Sequence, residues 1–150
     1  MAAMLTRSIV TSGVASAATA AALMLLGRYE KRGALTPLNA SSHWVYGDRA
    51  AQRHGDLART GLGIATHHLA VMFWSLVMET ALGRKARTLP ELALGGALTA
   101  AFAAAFDYLV VPRRLSPGWE LALTRKAMTG AFAAMALGLA TGAAAARMRG

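Results

Sequence analysis

Residues 127–146 read AMTGAFAAMALGLATGAAAA, twenty consecutive positions without one charged side chain. A helix rises about 1.5 Å per residue, so twenty residues cover about 30 Å, the thickness of a bilayer's hydrocarbon core. Three further stretches are almost as free of charge, at residues 8–27, 61–83 (with Glu79 alone) and 92–111 (with Asp107 alone). Between them lie loops rich in arginine and lysine. A soluble helix bundle of this length would place a polar face on each helix, and the third and fourth stretches have no such face. The pattern predicts an all-α fold: an integral membrane four-helix bundle, one domain over residues 1–150, with a short interfacial helix in the loop between helices 1 and 2.

The first stretch also resembles a cleaved leader, with Arg7 ahead of an apolar run and the small residues Ala15, Ser16 and Ala17 where a cut would fall. The apolar run continues through residues 20–27, past that point, so it reads as a membrane helix. The chain has no cysteine. Disulfides, thiolate metal sites and cysteine nucleophiles are therefore excluded.

The formal charge of +9 does not point to nucleic acid, because most basic residues stand within a few positions of a span's end. There they meet lipid phosphates and set orientation. Arg28, Lys31, Arg32, Arg49, Arg53 and Arg59 lie in the first loop, and Arg113, Arg114, Arg125 and Lys126 in the third. Six basic residues, Arg7, Arg84, Lys85, Arg87, Arg147 and Arg149, lie on the opposite side. Ten against six places loops one and three in the cytoplasm and both termini outside. Small size with an Ala- and Arg-rich composition suggests a bacterial inner membrane.

The first loop, 28–60, is by far the longest. Thr36 before Pro37 reads as a helix cap followed by proline at the first helical position. Asn39, His43 and Tyr46 then fall on one face, and Gly47 ends the helix. Residues 48–54 suggest another short turn, and Asp56 a cap for the helix entering the second span. Trp44 and Tyr46 are suited to the headgroup layer. This segment reads either as an interfacial anchor or as a lid over a polar site.

Polar residues inside the spans form stripes. His68, Met72, Ser75 and Glu79 share one face of the second span at about 100° per residue, with His67 turned away. Glu79 is costly in hydrocarbon, and Arg84 or Lys85 are its nearest cations in sequence. Ser8, Ser12, Ser16 and Thr19 make a matching stripe on the first span, whose hydroxyls can bond to their own helix. At the end of the third span Asp107 precedes Pro112, Arg113 and Arg114, and Ser116 with Pro117 reads as a cap leading through Trp119 into the fourth span. His43, His68, Asp107, Arg113 and Arg114 are the candidate ligand- or headgroup-binding residues, joined by Glu120 on the same side. In that reading the arginines clamp a phosphate or small anion, and Asp107 or His68 handles a proton.

Metal chemistry has weaker support, in His43, His67, His68 and Asp107. The adjacent His67 and His68 cannot both face one site, and no His-x-x-x-His spacing occurs. Haem is disfavoured because only one span carries histidines. No phosphate-binding loop, nucleophile elbow or dinucleotide fingerprint is present, so whether the protein is an enzyme stays open. Small residues recur every four positions in the fourth span, at Gly130, Ala134, Gly138, Gly142 and Ala146. The device repeats at Gly13, Ala17 and Ala21, and at Gly96, Ala100 and Ala104. Such ridges favour close helix contact. They point to an accessory or scaffold subunit packing against itself or a larger membrane complex. The alternative is a site-bearing membrane protein that holds a lipid headgroup, small anion or metal ion, with enzymatic or transport roles included.

Overall fold

The structure, a computed structural model, describes residues 2–83 and 88–148. It contains no strand among the described residues and six α-helices: α1 (Ala2–Tyr29), α2 (Thr36–Ala40), α3 (His43–Tyr46), α4 (Leu57–Leu82), α5 (Leu89–Ala105) and α6 (Arg125–Met148). A π-helical turn, Phe106–Val110, extends α5. Four helices are long and apolar enough to cross a membrane, at Ala3–Tyr29, Leu57–Leu82, Leu89–Val110 and Arg125–Met148. Their length and apolar character are those of an integral membrane protein, as the sequence predicts. Each begins a few residues ahead of its apolar stretch, because the helix extends into flanking residues back to its cap.

The distribution of side chains supports the same conclusion. Leu94, Leu98, Phe102, Leu69 and Leu137 are exposed, whereas Ser8, Thr11, Ser12, Thr19, Ser75 and Glu79 are fully buried. In water this arrangement would be inverted. In lipid it is the expected one, since hydrocarbon solvates leucine and polar groups must find partners inside the protein.

The chain divides into two compact units. The first comprises Met1–Thr19, His68–Ala103 and Phe132–Gly150. Its helices approach closely through small residues. A Cβ added at Gly138 would lie 2.7 Å from the Ala15 Cα, one at Gly142 2.8 Å from the Thr11 carbonyl oxygen, and one at Gly96 2.5 Å from that of Ala136. The ridge read from the fourth span is therefore used within the unit, with α6 packed against α1 and α5. Trp74 fills the interior and meets Phe102 edge-on at 5.8 Å between ring centres.

The second unit comprises Ala20–His67 and Ala104–Ala131. The long first loop folds inward here. All five residues of α2 are buried, and a Cβ at Gly63 of α4 would collide with the Leu38 carbonyl. The one helix expected across Asn39, His43 and Tyr46 is two, interrupted at Ser41 and Ser42. The break lets Asn39 turn inward on its own. Its amide donates to the carbonyls of Gln52 (2.8 Å) and His54 (3.0 Å), and its oxygen accepts from the Thr60 hydroxyl at 2.7 Å. Asn39 thus pins a polar loop whose backbone would otherwise lack partners.

Three capping expectations meet different outcomes. Asp56 does cap α4: its carboxylate accepts the Arg59 backbone N–H at 2.5 Å and the Arg59 guanidinium at 2.6 Å. Thr36 does not cap α2; its hydroxyl donates back to the Arg32 carbonyl at 2.7 Å, and Leu35 occupies the cap position. Nor does Ser116 start the fourth span. The short turn Trp119–Leu121 ends, and Thr124 caps α6 three residues ahead of the Ala127 N–H. Gly118 explains the detour. It adopts φ +79°, and a Cβ there would strike the Ala40 carbonyl, so the chain bends against α2 before the helix can begin.

Candidate functional site

In the second unit, His43, Tyr46, Asp48, Arg113, Arg114 and Glu120 line a cleft of about 540 Å³, completed by Val45, Gly47 and Leu121. Its walls follow from local sequence. Pro112 lacks an N–H and forces Val111 into an extended conformation (ψ 135°), which ends the helix. The chain then makes the short turn Arg113–Leu115, presenting both arginines immediately beyond the apolar span. The facing wall is α3 with the turn Gly47–Ala50.

One carbonyl joins the walls. The Ser116 oxygen accepts the Trp44 indole N–H at 2.9 Å and lies 2.8 Å from the His43 Nε2. The Ser116 hydroxyl donates to a Glu120 oxygen at 2.6 Å. Trp119, buried beneath, donates to the Ser41 hydroxyl at 3.2 Å and packs against the His67 ring at 6.0 Å. These bonds fix the cleft's frame while leaving its cations available. Arg113 and Arg114 are exposed, and neither side chain makes an ion pair or hydrogen bond among the described residues. Tyr46 stands under the Arg59 guanidinium at 4.9 Å, a cation–π contact. Exposed Trp44, Val45 and Leu115 are apolar neighbours of these groups, suited to the headgroup layer.

Of the sequence candidates, His43, Arg113, Arg114 and Glu120 come together. Asp107 does not line the cleft; it lies on the π-helical turn with Tyr108, close enough to both for the Glu120 carboxylate to act on them. His68 belongs to the first unit and is half-buried, whereas its neighbour His67, turned away from the polar stripe, is buried. Among the described residues no three metal-ligating side chains gather, so His43, His67, His68 and Asp107 do not form one metal centre. Tyr46, expected on the polar face of the loop helix, and Asp48 also line the cleft, because the loop folds back.

The first unit holds a second polar cluster, on the Ser75–Glu79 stripe. Glu79 is fully buried. Its carboxylate accepts from Arg147 Nη1 and Nη2, each at 3.0 Å, from Thr11 at 3.0 Å and from Arg7 Nε at 3.2 Å. Arg84 and Lys85, the cations nearest in sequence, lie outside the described residues. Among the described residues the pairing joins α1, α4 and α6. It is a fastening in which every carboxylate oxygen is satisfied and the cations outnumber the anion. Ser8, Ser12 and Thr19 bond back to their own helix, as hydroxyls in spans can. Ser12 also reaches the Met72 sulfur at 3.4 Å.

Compared with family models, curated proteins and solved structures, the chain gives no match.

Proposed function

We propose that this membrane protein binds a phosphate-bearing lipid headgroup in the cleft between α3 and the Arg113–Leu115 turn. The observation that carries the reading is that two adjacent arginines, without partners among the described residues, line a cleft directly beyond the end of a spanning helix. Guanidinium groups there match phosphate oxygens by charge and by paired N–H geometry. His43 supplies a further polar wall held in place by Ser116. In this reading the bilayer and its headgroups are the partners, and nucleic acid is not one. The excess of basic residues in loops one and three supports a cytoplasmic cleft, and the small size with an Ala- and Arg-rich composition supports a bacterial inner membrane. A reporter at Gly150 that is active only in the cytoplasm would reverse that orientation.

The accessory or scaffold role is a second reading. Its support shifts from α6, whose Gly138 and Gly142 are used internally, to α1. There Gly13, Ala17 and Ala21 are exposed, and Gly13 has open space where a Cβ would stand. That face suits a helix of a second copy or another subunit.

Native mass spectrometry on protein gently extracted from membranes separates the two. Headgroup binding gives a bound phospholipid mass that Arg113→Gln with Arg114→Gln removes while insertion and helicity persist. A bare chain seen only as an oligomer, dispersed by Ala17→Leu, supports the scaffold role and rejects the headgroup reading.

A further inference from the structure

The cleft contains charge of both signs. Asp48 and Glu120 line it together with Arg113 and Arg114, yet neither arginine pairs with either carboxylate among the described residues. Opposite charges about 4 Å apart near a surface attract by about 1–4 kcal/mol. Here three separate turns hold them apart: Gly47–Ala50 carries Asp48, Arg113–Leu115 the arginines, and Trp119–Leu121 Glu120. The Ser116 hydroxyl tethers one Glu120 oxygen at 2.6 Å. The other is buried and lies within reach of the Tyr108 hydroxyl. A headgroup complementary to such a cleft has an anion for one wall and a donor cation for the other.

We infer that the cleft selects a phosphate ester bearing a primary ammonium, of the ethanolamine type. This deepens the headgroup reading and rests on it. The phosphate sits on Arg113 and Arg114, and the ammonium donates its N–H groups to Glu120 and Asp48. Two common alternatives fit less well. A choline headgroup has no N–H to donate, and quaternary ammonium groups are held by open aromatic faces; the cleft's phenol ring, Tyr46, already has the Arg59 guanidinium over it at 4.9 Å. A glycerol headgroup brings the phosphate's negative charge beside two carboxylates with no cation to offset them. The same chemistry occurs in a membrane lipid and in free phosphoethanolamine.

The test uses the full-length protein in bilayers of equal parts phosphatidylethanolamine, phosphatidylglycerol and phosphatidylcholine, followed by native mass spectrometry of the retained lipid. The expected result is retention of phosphatidylethanolamine over each competitor by roughly fivefold, the size of one exposed ion pair. Asp48→Asn with Glu120→Gln should level the preference while phospholipid stays bound. A wild-type protein that retains phosphatidylglycerol or phosphatidylcholine equally well overturns amine recognition, yet leaves the phosphate reading standing. Undiminished phospholipid on the Arg113→Gln, Arg114→Gln protein overturns the phosphate reading itself. Delipidated protein is also titrated with free phosphoethanolamine and with inorganic phosphate. Preference for the former without lipid retention supports the same chemistry from a soluble source, and binding of neither, without lipid retention, overturns both readings.

Discussion

Arg147 grips Glu79 with both terminal guanidinium nitrogens, each 3.0 Å from a carboxylate oxygen, on helices 68 positions apart in the chain. Glu79 has no exposed surface. Arg7 and Thr11 complete its shell from α1. Two arginines around one carboxylate leave the cluster net positive, so removal of the acid leaves like charges facing each other.

Glu79→Ala should therefore cost about 3–5 kcal/mol, the usual penalty for stripping one partner from a buried ion pair. Arg147→Lys keeps the charge but loses the two-point contact, and should cost less. Thermal unfolding in a fixed detergent checks the order. Equal melting of Glu79→Ala and wild type would show that the pair does not hold the three helices together.

Glycines on α6 should respond unequally to a methyl group. Gly138→Ala pushes a Cβ to within 2.7 Å of the Ala15 Cα, backbone that has no rotamer to change. A loss of about 1–3 kcal/mol is expected, as for other overpacked sites. Gly130→Ala finds nothing nearer than the Leu26 side chain at 3.7 Å, and alanine's better helix propensity should make it neutral or stabilising by up to about 1 kcal/mol. Detergent unfolding of the two variants side by side decides it.

Asn39→Ala should loosen the first loop without disturbing the spans. It removes three hydrogen bonds of 2.7–3.0 Å, worth about 1 kcal/mol each in net terms. Limited proteolysis should then cut near residues 52–54 at a much higher rate, while helical content stays constant.

Asp56 gives a pH-dependent helix start. The Arg59 backbone N–H, and after it the Arg59 side chain, hold its carboxyl below the ordinary value of 3.8. A group whose acid strength rises on folding stabilises the folded state above its unfolded value. That contribution is complete above about pH 3.8 and disappears as pH falls through the lower folded value. Amide hydrogen exchange of residues 59–61 should accelerate over that window in the wild type. Asp56→Asn should show no such step.

The spans were legible because their evidence is local. Residues 127–146 have to satisfy their backbone within one segment, so length and lack of charge are sufficient to identify a membrane helix. Local turn chemistry was legible in part for the same reason: Pro112 ends α5, Gly47 ends α3, and Asp56 caps α4. Thr36 and Ser116 resembled caps equally well, but the Thr36 hydroxyl found the Arg32 carbonyl and the Ser116 hydroxyl the Glu120 carboxylate once the loop had folded. The candidates His43, Arg113, Arg114 and Glu120 were visible as unusual residues near span ends, and the side of the membrane they share followed from alternating helices.

Partnership was not legible. Arg7 and Arg147 read only as topology-setting charge, and Thr11 did not stand out at all, because their bonds to Glu79 bridge 68 to 72 positions and depend on which faces of three helices meet. The same holds for Asp48 in the cleft, and for His67 rather than His68 as the buried histidine. Sequence by itself determined four membrane-spanning helices with basic ends, since each span satisfies lipid on its own. Tertiary structure alone decided which charges are neutralised and which stand unpaired among the described residues, since charge pairing needs two groups within a few ångströms in space.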